Sequence, residues 1–197
     1  MTFKLGLTGS IGMGKSTTAQ MFVDLGCALW DADATVHQLY APGGAAVAPM
    51  AAAFPDAVDG KSVSRAALRQ IIALDPAALR QIEAIVHPLV AKHRAEFVAG
   101  IDADIIVFEI PLLFETGGDA AMDATVCVFV PDDIQEERVM ERETMTHEQF
   151  LAIRAKQMPA DEKCARSDYV IKTDTFAHAR AQVHDVVRRI RAGLNDA

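Results

Sequence analysis

Cysteine is scarce in this chain, basic residues are outnumbered, and no long apolar run occurs. Each shortage removes a class of protein. The three cysteines, Cys27, Cys127 and Cys164, lie far apart and form no C-x-x-C pair. They predict neither a disulfide framework nor a zinc cluster, and read as reduced thiols of a cytoplasmic protein. A membrane-spanning helix needs about 18 or more apolar residues in a row, and the chain has no such stretch. The opening residues lack a basic segment followed by an apolar one, so no signal peptide is expected. Lysine and arginine total 19 against 27 acidic residues, a net charge of −8. A general nucleic-acid binder needs a basic face for its phosphate contacts, so that class is excluded. A local basic patch for one phosphorylated small molecule is still allowed. No internal repeat occurs, and the only biased tract is the alanine-rich stretch 45–53. With 197 residues, 51% of them hydrophobic, the chain suffices for one large domain or a core with insertions.

What is present centres on Gly9-Ser10-Ile11-Gly12-Met13-Gly14-Lys15-Ser16, which fits the phosphate-binding pattern G-x-x-x-x-G-K-[ST]. The apolar run Phe3 to Thr8 before it predicts a buried strand. The run Thr17 to Leu25 after it predicts a helix, with Ala19, Phe22 and Val23 on one face. Glycines let the backbone turn tightly and bring its N–H groups against phosphate oxygens. The helix N-terminus adds partial positive charge at the same place. Lys15 would reach the β- and γ-phosphates of a nucleotide, and the Ser16 hydroxyl would ligate Mg²⁺. The candidate nucleotide-binding residues are therefore Gly9, Ile11, Gly12, Met13, Gly14, Lys15, Ser16 and Thr17. A dinucleotide-binding turn fits less well, because Gly12-Met13-Gly14 would need a third glycine where Thr17 stands.

Further on, Cys27 to Asp31 predicts a second strand ending in Asp31-Ala32-Asp33. Strand ends in open α/β sheets face the ligand, so either carboxylate is a candidate for chemistry; either is equally a candidate N-cap for a helix over 34–40. After Pro42-Gly43-Gly44, helices are expected over 45–54, 64–74 and 75–98, more than one crossover needs. Ser64 would cap the second, and His87-Pro88 would interrupt the third. Arg65 and Arg69 share a helical face, the usual mark of a solvated surface. Ile105 to Ile110 predicts a central parallel strand carrying Glu109; Glu109 and Glu115 could each orient Mg²⁺ or its waters, or make a cap or ion pair. Ala124 to Val130 and Asp168 to Ile171 predict two more strands, and Thr175 to Leu194 a closing amphipathic helix. Between them, 132–163 is charged and helical. Arg138 and Arg142 share a face there, either solvated or part of a lid that brings arginine to phosphates. Strands alternating with helices give an α/β fold, a five-stranded, mostly parallel sheet flanked by helices, with two helical insertions.

Together these stretches resemble the dephospho-coenzyme A kinase family, whose fold is that of the P-loop nucleoside monophosphate kinases. The resemblance is carried by Gly6-Leu7-Thr8-Gly9 with the P-loop, Asp31-Ala32-Asp33, Val86-His87-Pro88-Leu89, and Ile110-Pro111-Leu112-Leu113-Phe114-Glu115. It continues through Arg138 and Arg142, Gln157-Met158-Pro159, and Ser167-Asp168-Tyr169-Val170-Ile171. It implies transfer of the ATP γ-phosphate to the ribose 3′-hydroxyl of dephospho-CoA. Asp33 would be the general base, with Lys15 and Arg142 also catalytic and Arg138 on the nucleotide. Asp33, Arg65, His87, Pro111 and Leu112 would meet the substrate. Ser16, with Glu109 through water, would hold Mg²⁺. The implied organisation is a nucleotide-binding core of 1–41, 101–131 and 167–197, a CoA-binding insertion of 42–100, and a lid of 132–166. The implied setting is cytoplasmic, with a small-molecule partner and no nucleic acid or membrane. Three departures stand out: Ser10 and Met13 where the family often has Gly and Ser, Glu109 where many members have Asp, and Lys172-Thr173-Asp174 in place of the usual Asp-Asn pair expected near the adenine. Another kinase of this fold would keep the P-loop without needing the P-L-L-F-E segment. A GTPase switch should carry N-K-x-D, which does not occur.

Overall fold

Strand β1, Phe3–Thr8, runs between two neighbours and has water on neither face, so Leu5 and Leu7 are fully buried. The computed structural model describes residues 2–195; positions 1, 196 and 197 of the expected core segments lie outside the described residues. Two compact units form, Met1–Trp30 with Asp102–Ala197, and Asp31–Ile101.

In the first unit the P-loop turns β1 into α1, Lys15–Asp24. This helix starts two residues before the periodicity suggests, because Gly14, at φ 82°, turns the chain straight into it. The sheet continues with β2, Ala28–Asp31, which ends at the unit boundary, then β5, Ile105–Glu109, β6, Ala124–Phe129, and β7, Tyr169–Lys172. Its order is β2-β5-β1-β6-β7. The β1–β5, β1–β6 and β6–β7 pairings are parallel, as the unbroken apolar runs predict. The register sets Leu7 opposite Glu109 and Thr8 opposite Cys127, so the end of β5 lies level with the start of the P-loop. Asp168 fastens the edge: its carboxylate accepts the Thr125 N–H at 2.7 Å and the Thr125 hydroxyl at 2.9 Å. Helices α6 (Asp132–Glu141), α7 (His147–Arg154) and α8 (Ala160–Arg166) occupy the charged region. The closing helix α9, Phe176–Asn195, buries Val183, Val187 and Ile190. They join Leu5, Phe22, Val107, Val128 and Ile171 in one apolar core. Truncating a fully buried phenylalanine such as Phe22 to alanine should cost about 3–5 kcal/mol.

The second unit holds α2 (Ala32–Tyr40), α3 (Val47–Ala53), α4 (Arg65–Leu74) and α5 (Ala78–Gly100). Leu39, Met50, Leu68, Ile82 and Val86 form its own core. Ser64 caps α4 as expected, accepting the Ala67 N–H. Pro49 is the third residue of α3, in the first turn, where an N–H has no intrahelical acceptor to lose. Two expectations fail here. The helix expected to break at Pro88 is continuous from Ala78 to Gly100. A single proline removes one backbone bond, and Ile82 and Val86, buried in the unit's core, anchor the turns before it. A short antiparallel hairpin, β3 (Val58–Asp59) and β4 (Ser62–Val63), was not anticipated, because strands of two residues carry no readable alternation.

Candidate active site

The P-loop closes a small cradle whose lining runs from Ser10 to Thr17 and includes Arg142, with a volume of about 220 Å³. Its shape depends on glycine. Gly12 has φ 78°, and a Cβ there would lie 2.5 Å from Val139 Cγ2 and 3.1 Å from the Gln135 carbonyl, so no side chain fits against α6. Gly14 is the N-cap of α1 and offers no side-chain cap, which leaves the helix's positive end to the cradle.

Three groups converge at this end. The Ser16 hydroxyl donates to Glu109 Oε1 at 2.8 Å, and Lys15 Nζ lies 3.5 Å from the same oxygen. Glu109 is 5% exposed, held by β5 below the cradle. A hydroxyl and a carboxylate side by side are hard oxygen donors, the set Mg²⁺ takes together with phosphates and waters. Among the described residues no cluster of three or more His, Cys, Asp or Glu forms a self-sufficient metal cage. A substrate-shared Mg²⁺ needs none.

Glu115, the other acidic candidate, is committed elsewhere. It accepts Lys163 Nζ at 2.9 Å and the Met158 N–H at 2.9 Å. Burial alone would raise its pKa, but the hydrogen bonds from Lys163 and Met158 and the ammonium charge hold it below the ordinary value of 4.5. Lys163 is itself fully buried and also donates to the Pro111 carbonyl at 2.9 Å, which accepts the Thr8 hydroxyl at 3.1 Å. Pro111 thus enters the site through its carbonyl, while Leu112 projects outward at 41% exposure.

Arg138 and Arg142 part company. Arg138 donates from Nη2 to the Thr173 carbonyl at 2.7 Å and from Nη1 to its hydroxyl at 3.3 Å. That hydroxyl donates in turn to the Met13 carbonyl of the P-loop at 2.8 Å. Arg142, at the C-cap of α6, is exposed and lines the cradle. Both arginines also border a second hollow of about 210 Å³ with Thr17, Thr173 and Phe176, and Phe176 is 62% exposed. A larger cavity, about 660 Å³, opens on the far side of Ser10, beside Phe129 and the Asp132–Arg154 ion pair.

In the second unit the cap of α2 falls to one of the paired aspartates. Asp31 is the N-cap of α2: its Oδ1 accepts the Ala34 N–H at 3.0 Å. Asp33, the second residue of α2, is exposed, and Arg65 donates to its carbonyl at 3.3 Å while lying 5.9 Å over the Tyr40 ring. His87 is exposed on α5. Three site side chains escaped the sequence: Gln135, Lys163 and Phe176 stand in no motif, and only the fold brings them to the P-loop; Thr173 is marked in the sequence only as a departure from the Asp-Asn pair. Gln157 stood in a recognised stretch without a role.

A parallel sheet with a glycine cradle, a lysine and a serine–carboxylate pair at the end of its central strands defines a P-loop kinase. Residues 3–178 match the model of the dephospho-CoA kinase family, and the chain belongs to that family. It is 72% identical over 193 residues to the dephospho-CoA kinase of Ruegeria pomeroyi, covering 98% of each chain. Among solved structures, TT1252 from Thermus thermophilus superposes with a TM-score of 0.87 at 31% identity, covering 95% of this chain and 97% of that one. The dephospho-CoA kinase from Campylobacter jejuni gives 0.72 at 24% identity over 98% and 99%, a likeness of fold. No helix among the described residues is long and apolar enough to cross a membrane.

Proposed function

We propose that this enzyme phosphorylates the ribose 3′-hydroxyl of dephospho-CoA with ATP, the last step of coenzyme A synthesis, in the cytoplasm. The observation that carries the proposal is the convergence of Lys15, Ser16 and Glu109 at the P-loop in a chain similar over its whole length to dephospho-CoA kinases. The backbone of Gly9 to Thr17 cradles the triphosphate, and Lys15 neutralises charge on the group in transfer. Ser16 and Glu109 would hold Mg²⁺, which when bound would supply electrostatic stabilisation of charge on the phosphates. The adenine occupies the hollow between Arg142, Thr173 and Phe176, with Phe176 as the stacking face in place of a motif asparagine. Arg142 closes on the phosphates as part of a lid, 132–166.

The insertion 42–100, with Arg65 and His87, binds the acceptor, and Pro111 and Leu112 are assigned to the same substrate. Asp33 takes the proton of the attacking hydroxyl. Its support is its place two residues beyond β2 and a carboxylate that, unlike that of Asp31, does not cap the helix. Mass spectrometry of the product from ATP, Mg²⁺ and dephospho-CoA tests the proposal. One phosphoryl group should be added to the ribose by the wild type. The Lys15→Ala enzyme should be slowed by the equivalent of about 3–4 kcal/mol, the usual weight of such a contact. Phosphorylation of other acceptors in preference to dephospho-CoA would defeat it.

A further inference from the structure

Both backbone polar groups of Ile11, at the middle of the P-loop, are held by amide side chains from outside the loop. Its N–H donates to Gln157 Oε1 at 3.1 Å, and its carbonyl accepts Gln135 Nε2 at 2.7 Å. Gln135 is 1% exposed on α6, and Gln157 lies in the connection between α7 and α8. A glutamine side chain offers an acceptor and a donor, so two of them can hold the N–H and the C=O of one residue, and with them the two peptide planes that meet at its Cα.

The support behind Gln157 is itself fixed. The next residue, Met158, donates its N–H to Glu115, which pairs with buried Lys163. Lys163 also donates to the Pro111 carbonyl, and that carbonyl accepts the hydroxyl of Thr8, the residue before the P-loop begins. The hydrogen bonds therefore close a ring that leaves the P-loop at Thr8 and returns to it at Ile11. Every member lies in the same compact unit. A loop of glycines has no side chains with which to hold its own shape, and a phosphate cradle needs its N–H groups aimed before the ligand arrives.

We propose that Gln157 and Gln135 are positioning residues for phosphoryl transfer, which fix the backbone on both sides of the Ile11 Cα and so hold the P-loop in its phosphate-binding form. Neither side chain need touch ATP. The inference rests on the P-loop being the ATP site. It makes the Q-M-P stretch part of the nucleotide site rather than of the acceptor site, and it couples the 132–166 segment to the cradle even where no arginine reaches it.

The test uses the full chain and Gln157→Met, which keeps the length of the side chain but removes its acceptor, with Gln157→Ala beside it. Calorimetry with ATP and Mg²⁺ should give an affinity about three- to tenfold weaker for both variants, the weight of one neutral hydrogen bond. Turnover should fall by a similar factor, and the KM for dephospho-CoA should stay within about twofold, since no acceptor contact is altered. Because both glutamines act on one residue's backbone, Gln135→Met and Gln157→Met should be non-additive in ATP affinity. A Gln157→Met enzyme that binds and turns over ATP as the wild type does would overturn the inference. So would equal damage to both substrates, which marks general loosening, or strict additivity of the pair. Absence of ATP binding by the wild type would overturn the P-loop reading, and this inference with it; normal wild-type binding separates the two failures.

Discussion

Ser16 donates its hydroxyl hydrogen to Glu109 across 2.8 Å, although 93 positions separate them in the chain. β1 and β5 are parallel neighbours, so Ser16, the second residue of α1, and Glu109, the residue that ends β5, meet at one edge of the sheet. The bond leaves the serine oxygen's lone pairs free to ligate a cation while its proton is held by the carboxylate.

Glu109→Gln should lower activity by about 10–100-fold, the usual effect of removing a group that orients a metal's ligands, with partial recovery at higher Mg²⁺. Glu109→Asp should fall between the two, because it keeps the charge but withdraws it by one methylene. Activity measured against Mg²⁺ concentration decides the matter. An unaltered Mg²⁺ dependence in Glu109→Gln would remove this residue from the metal site.

The two arginines of α6 should respond differently. Arg142→Ala should lose more in turnover than in ATP affinity, since a closing arginine acts mainly in the transition state. Arg138→Ala should also lose fold stability, by about 1.5–3 kcal/mol, because its guanidinium ties Thr173 to α6. Thermal melts alongside steady-state kinetics separate them; equal melting temperatures for both variants would refute the distinction.

Asp33→Asn should reduce kcat by about 10²–10⁴ with ATP affinity near wild type, as expected when a general base is lost and the P-loop is untouched. Asp31→Asn should mainly weaken the start of α2, because asparagine still caps but without the charge that favours a helix N-terminus. If Asp31→Asn is the inactive enzyme and Asp33→Asn turns over normally, the roles are reversed.

The Glu115–Lys163 pair predicts an acid limb in stability. Glu115 has a lowered pKa in the folded protein, so the folded state binds its proton less readily than the unfolded one. Its contribution is therefore complete above the ordinary value of 4.5 and is lost as the pH falls through the lower folded value. Melting temperatures of wild type and Glu115→Gln should differ at neutral pH and converge in acid. A constant difference across that range would show that the ion pair contributes nothing pH-dependent.

How much of this could be read from the residues alone follows from the range over which each feature is encoded. The P-loop, the apolar strands Ile105–Glu109 and Ala124–Phe129, the Ser64 cap and the amphipathic α9 are local matters of turn chemistry and periodicity, and the sequence determined them. It also carried the family, because the motifs at Asp33, His87, Pro111 and Gln157 keep their order and spacing. The continuity of α5 through Pro88 was decided by packing, since burial of Ile82 and Val86 outweighs one lost backbone bond. So was the assignment of Asp31 as the cap, which depends on where β2 ends and α2 begins. The contacts that give the site its form belong only to the tertiary structure: Glu109 with Ser16, Arg138 with Thr173, Lys163 with Glu115, and the two glutamines on Ile11. Those partners stand 35 to 146 positions apart. No local pattern can specify such pairs, because the strand order β2-β5-β1-β6-β7 sets which chain ends become neighbours. A polar side chain shows whether it is solvated or buried against the P-loop only once that order is in place.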